Sequence, residues 1–416
     1  MALPHSALFR PPASAGSFFL LAPPARSAAG RATPGAMTYD FDRAPDRRSG
    51  DSIKWNRYAG RDVLPLWVAD MDFPSPPAVV EALRRRVEHG VFGYAEPWPS
   101  LVEAVREHLH AEYGWEVEPG WLVWLPGLVT GLNVACRAVE GPAFSAVPVY
   151  PPFLSAPGRL VTAPLRCGPG RWEWDLDAVE ATLGPEVKLL LLCHPHNPVG
   201  RAWEEPELAA LAELAARHDL VVCSDEIHAG LLLEPGRRHR PFATLSGDAA
   251  RRTITLLAPS KTFNIPGLGC AFAVIPEPAL RRRFQRAMQG IVPHVNVLGL
   301  VACEAALREG AGWHRALLDH LRGNRERVCA AVGLIPGLRT TPIEATYLAW
   351  IDARGTGLDA PQRFLEAAGV GLSDGADFAP GGAYRGFVRL NFGCTRATLD
   401  EALERMRRAL ADRAAR

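Results

Sequence analysis

Lysine is almost missing from this chain. Of its 46 basic side chains only three are lysines, Lys54, Lys188 and Lys261, and the others are all arginines. Arginine keeps its proton in a protein and cannot form an imine, whereas lysine can. A lysine that persists against such a background points to chemistry that arginine cannot perform. Other absences narrow the class. None of the eight cysteines, at 136, 167, 193, 223, 270, 303, 329 and 394, belongs to a C-x-x-C pair, and several sit inside apolar runs. Reduced, buried thiols in a cytoplasmic protein fit this better than a disulfide framework or a zinc site. No run approaches the roughly 18 consecutive apolar residues that a membrane helix requires. The 46 basic and 45 acidic side chains nearly cancel, to a net charge of +1. That leaves no basic patch to suggest a nucleic-acid or membrane-surface partner.

Residues 1–36 contain no Asp or Glu and are rich in Ala, Pro and Ser. Their one apolar patch, SFFLLA, is too short and too Pro-flanked for a signal-peptide core. The segment reads as a disordered leader or a start placed too early, with Met37 the natural beginning. An acid-poor transit peptide is the alternative.

The 416 residues suit two or three domains, and 48% hydrophobic residues provide for a large core. Ser100 and Glu103 have the spacing of a capping box, and Leu101, Val105, Leu109 and Tyr113 repeat on one helical face. Beyond them, apolar runs at Ala146–Val149, Lys188–Cys193, Leu220–Ser224, Thr253–Leu257 and Cys270–Ile275 are predicted strands. A helix is predicted over Glu205–His218, with Pro206 in its first turn. Strands apolar throughout, alternating with helices, indicate an α/β fold with a mostly parallel sheet covered on both faces. After residue 276 the pattern is helical to about Val332, then strands at Tyr347–Ile351 and Phe387–Asn391 precede a terminal helix over Arg396–Arg413. The implied organisation is an N-terminal segment 37–80 joining a small domain, a large domain 81–320, and a small α+β domain 321–416.

Ligands of open α/β sheets collect at the carboxyl ends of the strands. Four polar clusters fall at such ends: Tyr150-Pro-Pro-Phe153, His194-Pro-His-Asn-Pro-Val-Gly200, Asp225-Glu-Ile-His228 and Ala258-Pro-Ser-Lys-Thr-Phe-Asn264. An aromatic ring, an amide, a carboxylate and a lysine converge on one rim. Pyridoxal 5′-phosphate needs these four groups. The lysine forms the imine, and the carboxylate keeps the pyridine nitrogen protonated so that the ring can accept electrons. The amide donates to the phenolate oxygen, and the aromatic ring covers the cofactor face. The phosphate wants backbone N–H groups at a helix start, which Pro126–Thr130 could supply. Taken alone, Asp225 could be no more than a helix cap. His194 and His196 flank a proline beside Cys193 but have no further ligand at metal spacing, so no metal site is expected. Lys188 reads as solvated and Lys54 as structural. Arg389 stands in a strand between apolar neighbours, where a guanidinium without an anion would be costly.

The order N-P-x-G, D-E-I-H and S-K-T-F-N resembles fold-type I pyridoxal-phosphate enzymes of the class I/II aminotransferase superfamily. Trp67-Val-Ala-Asp-Met-Asp-Phe73, Gly93-Tyr94, Pro148–Phe153 and Ala258–Ile265 are similar to the MalY/PatB branch of cystathionine (cysteine-S-conjugate) β-lyases. The resemblance runs from about Asp51 to the C-terminus. It implies a large domain and a smaller α+β domain, and β-elimination at carbon–sulfur bonds that yields a thiol, pyruvate and ammonia. It implies Lys261 as Schiff-base lysine and proton shuttle, Asp225 at the pyridine nitrogen and Asn197 at the phenolate. His228 would stand near the cofactor where many aminotransferases have a tyrosine, and Tyr150 would stack on the ring. Gly127, Leu128, Val129 and Ser260 would lie by the phosphate. Arg389 would grip the substrate carboxylate, and Tyr94 would act across the interface of a homodimer. The sequence departs from the wider superfamily at Gly269, where many members carry a phosphate-binding arginine. An aminotransferase on the same scaffold, or a regulatory protein acting by protein contact, are the alternatives.

Overall fold

The computed structural model describes residues 39–415 except 49 and 169. The leader 1–36 and Met37 lie outside the described residues. Seven strands form the principal sheet: β1 (Leu122–Leu125), β2 (Ala143–Val147), β3 (Leu160–Pro164), β4 (Leu189–Cys193), β5 (Val221–Asp225), β6 (Thr253–Leu257) and β7 (Ala271–Val274). Their order is β1-β7-β6-β5-β4-β2-β3. The run from β6 to β3 is parallel, and β7 is antiparallel to both its neighbours. Strand β4 shows why an unbroken apolar run was needed. Leu189, Leu191 and Cys193 enter one core, while Leu190 and Leu192 enter another on the opposite face. Each fully buried leucine contributes roughly 1.5–3 kcal/mol, so a polar residue on either face would be expensive.

Helices cover both faces. Those used below are α1 (Pro77–Glu88), α2 (Pro99–Tyr113), α3 (Leu128–Ala138), α4 (Glu205–Arg217), α5 (Pro278–Met288), α6 (Val297–Glu309) and α7 (Ala311–Leu334). Leu208, Leu211 and Leu214 of α4 bury into the second core, whereas Leu128, Leu132 and Ala135 of α3 bury into the first. The capping box expected at Ser100 and Glu103 does not form. Helix α2 begins at Pro99, with Trp98 as its N-cap and no side-chain cap. Proline fits this first position because it has no N–H to satisfy. Glu103 pairs instead with Arg106 at 2.7 Å. A capping box does form on α4, between Glu204 and Glu207.

The second sheet is antiparallel. It consists of β8 (Arg339–Thr340), β9 (Leu348–Asp352), β10 (Ser373–Asp374) and β11 (Phe387–Asn391), in the order β8-β9-β11-β10. The terminal helix α8 (Arg396–Ala414) follows β11. The N-terminal part of the chain is stitched to this region by a two-residue parallel pairing of Leu64–Pro65 with Val370–Gly371. The next residues, 66–73, form a strap without regular structure, which passes between the second sheet and the loop after β6.

Candidate active site

Strands β2, β4, β5 and β6 end along one rim, and their following loops line a cavity of about 280 Å³. Tyr150 follows β2, Asn197 follows β4, Asp225 ends β5 and is followed by His228, and Ser260 and Lys261 follow β6. All six line the cavity, as do Gly127, Leu128 and Val129 at the start of α3 and Arg389 from β11. Ten of the eleven expected site residues are therefore brought together. The eleventh, Tyr94, does not line this cavity and is fully exposed.

The charged members have little solvent. Burial pushes the Asp225 carboxyl up to about 7, opposed by donation from the Ile227 N–H at 3.1 Å and by the nearby Lys261. Burial also pushes the Lys261 amine down to about 8, which brings its neutral form within reach at physiological pH. The Arg389 guanidinium is pushed down to about 10, again by burial. Its Nη1 donates to Asn197 Oδ1 at 2.9 Å, and its Nη2 donates to the Trp67 carbonyl at 3.0 Å. His228, pushed down to about 3 by burial, is a neutral imidazole.

The site fits pyridoxal phosphate on its own geometry. Buried polar atoms at the cavity, His228 Nδ1 and Arg389 Nε, have no hydrogen-bond partner. Asp225 is a buried carboxyl group whose only donor among the described residues is one backbone N–H, so a cationic ring nitrogen would complete it. Helix α3 opens at Gly127 without a side-chain cap, which leaves first-turn amides for a phosphate. The departure at Gly269 has a steric reason. Its φ is +55°, and a Cβ there would lie 2.9 Å from the Pro126 carbonyl oxygen, beside the turn that starts α3. No arginine can occupy that position without moving the turn.

Some of the site was not read from the sequence. Every carbonyl from Trp67 to Met71 accepts a hydrogen bond from a side chain. Trp67 O takes Ser373 Oγ and Arg389, Val68 O and Asp70 O take Asn391 Nδ2, and Met71 O takes Asn264 Nδ2 and Arg47. Ala69 O takes Lys261 Nζ at 2.6 Å and Tyr347 Oη at 2.9 Å. The two acids of the strap are held by cations. Asp72 binds the fully buried Lys54 at 2.9 Å, and Asp70 binds Arg47 at 2.8 Å. The paired aspartates of W-V-A-D-M-D-F were the available signal, since two such acids need partners. Around the back of β5, Glu226 binds His239 at 2.7 Å, Ser224 and the Phe242 N–H. His194 and His196 each donate through Nε2 to a backbone carbonyl, of Arg240 and Pro148 respectively.

The sequence profile described as Aminotransferase class I and II matches residues 61–406. Cystathionine beta-lyase PatB of Bacillus subtilis (strain 168) is 38% identical over 388 residues, covering 89% of this chain and all of that one. The crystal structure of OvoB superposes with a TM-score of 0.87 at 50% identity, covering 89% of this chain and 99% of that one. The structure of cystalysin from Treponema denticola, which contains a pyridoxal 5′-phosphate cofactor, superposes with a TM-score of 0.85 at 31% identity, covering 90% of this chain and all of that one. A strand-end rim carrying lysine, aspartate and asparagine in this order, under a profile match across most of the chain, leaves one family for it: the chain belongs to the class I and II aminotransferases.

Proposed function

We propose that this chain is a pyridoxal-phosphate-dependent carbon–sulfur β-lyase that cleaves cysteine S-conjugates such as cystathionine to a thiol, pyruvate and ammonia. The observation that carries the choice of reaction is the cavity's charge. Among the described residues that line it, the cations are Lys261 and Arg389 alone. One arginine suffices for the α-carboxylate of a cysteine conjugate, since the distal carboxylate of cystathionine carries its own ammonium, whereas an amino donor with an uncompensated second carboxylate would need a second cation. The relatives support the same reading, because PatB is a cystathionine β-lyase.

Pyridoxal phosphate, when bound, supplies a sink for the electron pair left at the substrate Cα. The protein's part is positional and acid–base. Arg389, oriented by Asn197 and the Trp67 carbonyl, would hold the α-carboxylate with the donors these bonds leave free, the unpartnered Nε–H among them. That fixes the Cα–H towards Lys261, whose amine takes the proton. Asp225 would hold the ring nitrogen and favour its protonated form, and Asn197 would donate its amide N–H to the ring oxygen. Tyr150 would cover one ring face, His228 would lie by the ring, and Ser260 with the amides of Gly127, Leu128 and Val129 would hold the phosphate. Elimination then needs only room for the departing thiolate, and most of the remaining wall is apolar: Val68, Val129, Pro126 and Pro266.

The same reading has a homodimer in which Tyr94 completes the neighbouring site. Its support is a band of exposed apolar side chains, Val87, Val91, Phe92 and Tyr94, which a second copy would cover. A reducing, cytoplasmic setting is supported by eight free cysteines, five of them buried. No helix among the described residues is long and apolar enough to cross a membrane.

Cystathionine given alone to the cofactor-loaded protein decides the reaction. Pyruvate, ammonia and homocysteine should accumulate over many turnovers, with no acceleration by 2-oxoglutarate. Turnover that stops after one equivalent and resumes on adding a 2-oxo acid would make the protein a transaminase. Lys261→Ala should abolish the visible absorbance of the bound cofactor and nearly all turnover.

A further inference from the structure

The side-chain donors along the 66–73 strap differ in one respect. Asn264, Asn391, Arg389, Ser373 and Arg47 can hold their carbonyls throughout a reaction cycle. Lys261 cannot, because the reading above has its nitrogen bonded to the cofactor for part of each cycle. Ala69 O would then be an unsatisfied buried carbonyl, were Tyr347 not there.

Tyr347 is almost wholly buried, and its hydroxyl donates to Ala69 O. Burial holds its phenol above the ordinary tyrosine range, so it stays a donor. Its ring packs edge-on to His228 with centroids 6.1 Å apart, and it precedes β9, the strand that pairs with β11 and so with Arg389. The carbonyl itself is held firmly. Asn391 Nδ2 clamps both adjacent carbonyls, Val68 O at 2.6 Å and Asp70 O at 2.7 Å. Asn264, three residues after Lys261, accepts from Met71 N–H at 3.0 Å and donates to Phe73 O at 2.7 Å. Ala69 O is thus a fixed acceptor with two donors, of which one must come and go.

We propose that Ala69 O is the resting place of the Lys261 amine whenever that amine is not bonded to the cofactor, and that Tyr347 is a positioning residue which holds the strap while the lysine is away. The inference rests on Lys261 being the cofactor lysine. By sharing the carbonyl, Tyr347 also weakens it as an acceptor for the lysine, and so eases the amine's departure. The charged and titratable groups around Lys261 are Asp70 on the strap, Asp225 and His228 at and after β5, Arg389 on β11, and Tyr150 after β2. Tyr347→Phe leaves all of them in place and removes one hydroxyl.

The test uses the full chain stripped of pyridoxal phosphate. Lys261 is labelled with an amine-reactive reagent across a pH series and quantified by peptide mass spectrometry. In Tyr347→Phe the carbonyl has only the lysine as donor, so the labelling midpoint should rise by about half a pH unit or more. Pyridoxal phosphate, titrated by absorbance, should bind about 5-fold more weakly, since its attachment now orphans Ala69 O. A tyrosine that served only to fill space would lower the melting temperature and leave the midpoint unmoved, and that result overturns the inference. If Tyr347→Phe does not fold, 3-fluorotyrosine placed at 347 is the substitute. It is a stronger donor, so the midpoint should fall, and an unchanged midpoint again overturns the inference. Failure of pyridoxal phosphate to protect Lys261 in the unsubstituted protein is a separate outcome, and it would refute Lys261 as the cofactor lysine.

Discussion

Arg389 donates to Asn197 Oδ1 at 2.9 Å across a sequence separation of 192 residues, from the second sheet to the principal one. This bond fixes which end of the Asn197 amide faces the cavity, so under the proposed function one guanidinium would orient both the substrate carboxylate and the amide beside the ring.

Lysine cannot replace that arginine. It has no planar fork with which to satisfy Asn197, the Trp67 carbonyl and a carboxylate together. Losing one charge-assisted pair costs about 1.5–3 kcal/mol, so Arg389→Lys should raise KM for a cysteine conjugate about 10- to 150-fold. Steady-state kinetics on the folded variant measures this directly, and an unchanged KM would remove Arg389 from substrate binding.

Asp225→Asn should separate chemistry from stability. In the cofactor-free fold the carboxyl holds its proton up to about 7, against 3.8 for a free side chain. The folded state therefore binds this proton more tightly than the unfolded chain does. The stability it contributes is full below the lower value and is lost as pH rises towards 7. Asparagine suffers no such loss. Without cofactor, Asp225→Asn should melt higher than the parent at pH 8, by roughly 1–4 kcal/mol of stability, with a smaller gain at pH 5. Added pyridoxal phosphate should stabilise the parent more than the variant, because only the parent can pair with a cationic ring nitrogen. Turnover should fall about 100-fold or more. Equal melting temperatures at pH 8 together with full turnover would refute the role.

Gly269→Ala places a methyl group 2.9 Å from the Pro126 carbonyl, at a φ of +55°. The variant should lose about 1–2 kcal/mol of stability in a urea melt. Because the turn it displaces presents the first amides of α3, pyridoxal phosphate should also bind about 10-fold more weakly. Unchanged cofactor affinity would mean that this turn does not contact the phosphate.

The sequence was most legible where chemistry and strand ends coincide. Thr253–Leu257 and Phe387–Asn391 were placed to the residue, and β2, β4, β5 and β7 to within three, but β1 and β3 of the principal sheet were not anticipated. Lysine, aspartate and asparagine followed from the loops after those strands. What stayed hidden depended on the partner rather than the pattern. An apolar run such as Ala271–Val274 reads the same in either direction, so its antiparallel course was invisible. The N-cap of α2 was misread because Ser100 and Glu103 have the right spacing but Pro99 already starts the helix. Tyr347, Asn264 and Asn391 act on backbone carbonyls that have no side-chain signature, and so nothing in their own neighbourhoods announced them.

The strap has a consequence for how the protein is made. Its carbonyls wait for donors far along the chain: Lys261 lies 192 residues after Ala69, and Arg389 lies 322 residues after Trp67. Chains emerge from the ribosome N-terminus first, and contacts of such separation form late. The principal sheet can assemble while the strap's partners just before β9 and on β11 are still unsynthesised, but the cavity cannot be finished. A nascent or truncated chain ending before β11 would carry Lys261 and Asp225 without Arg389 or the Asn391 clamp on the carbonyls either side of Ala69. With Lys261 as the cofactor lysine, cofactor capture would thereby be tied to the last strand of the protein, and the lysine would not be offered a fixed geometry until translation is nearly complete.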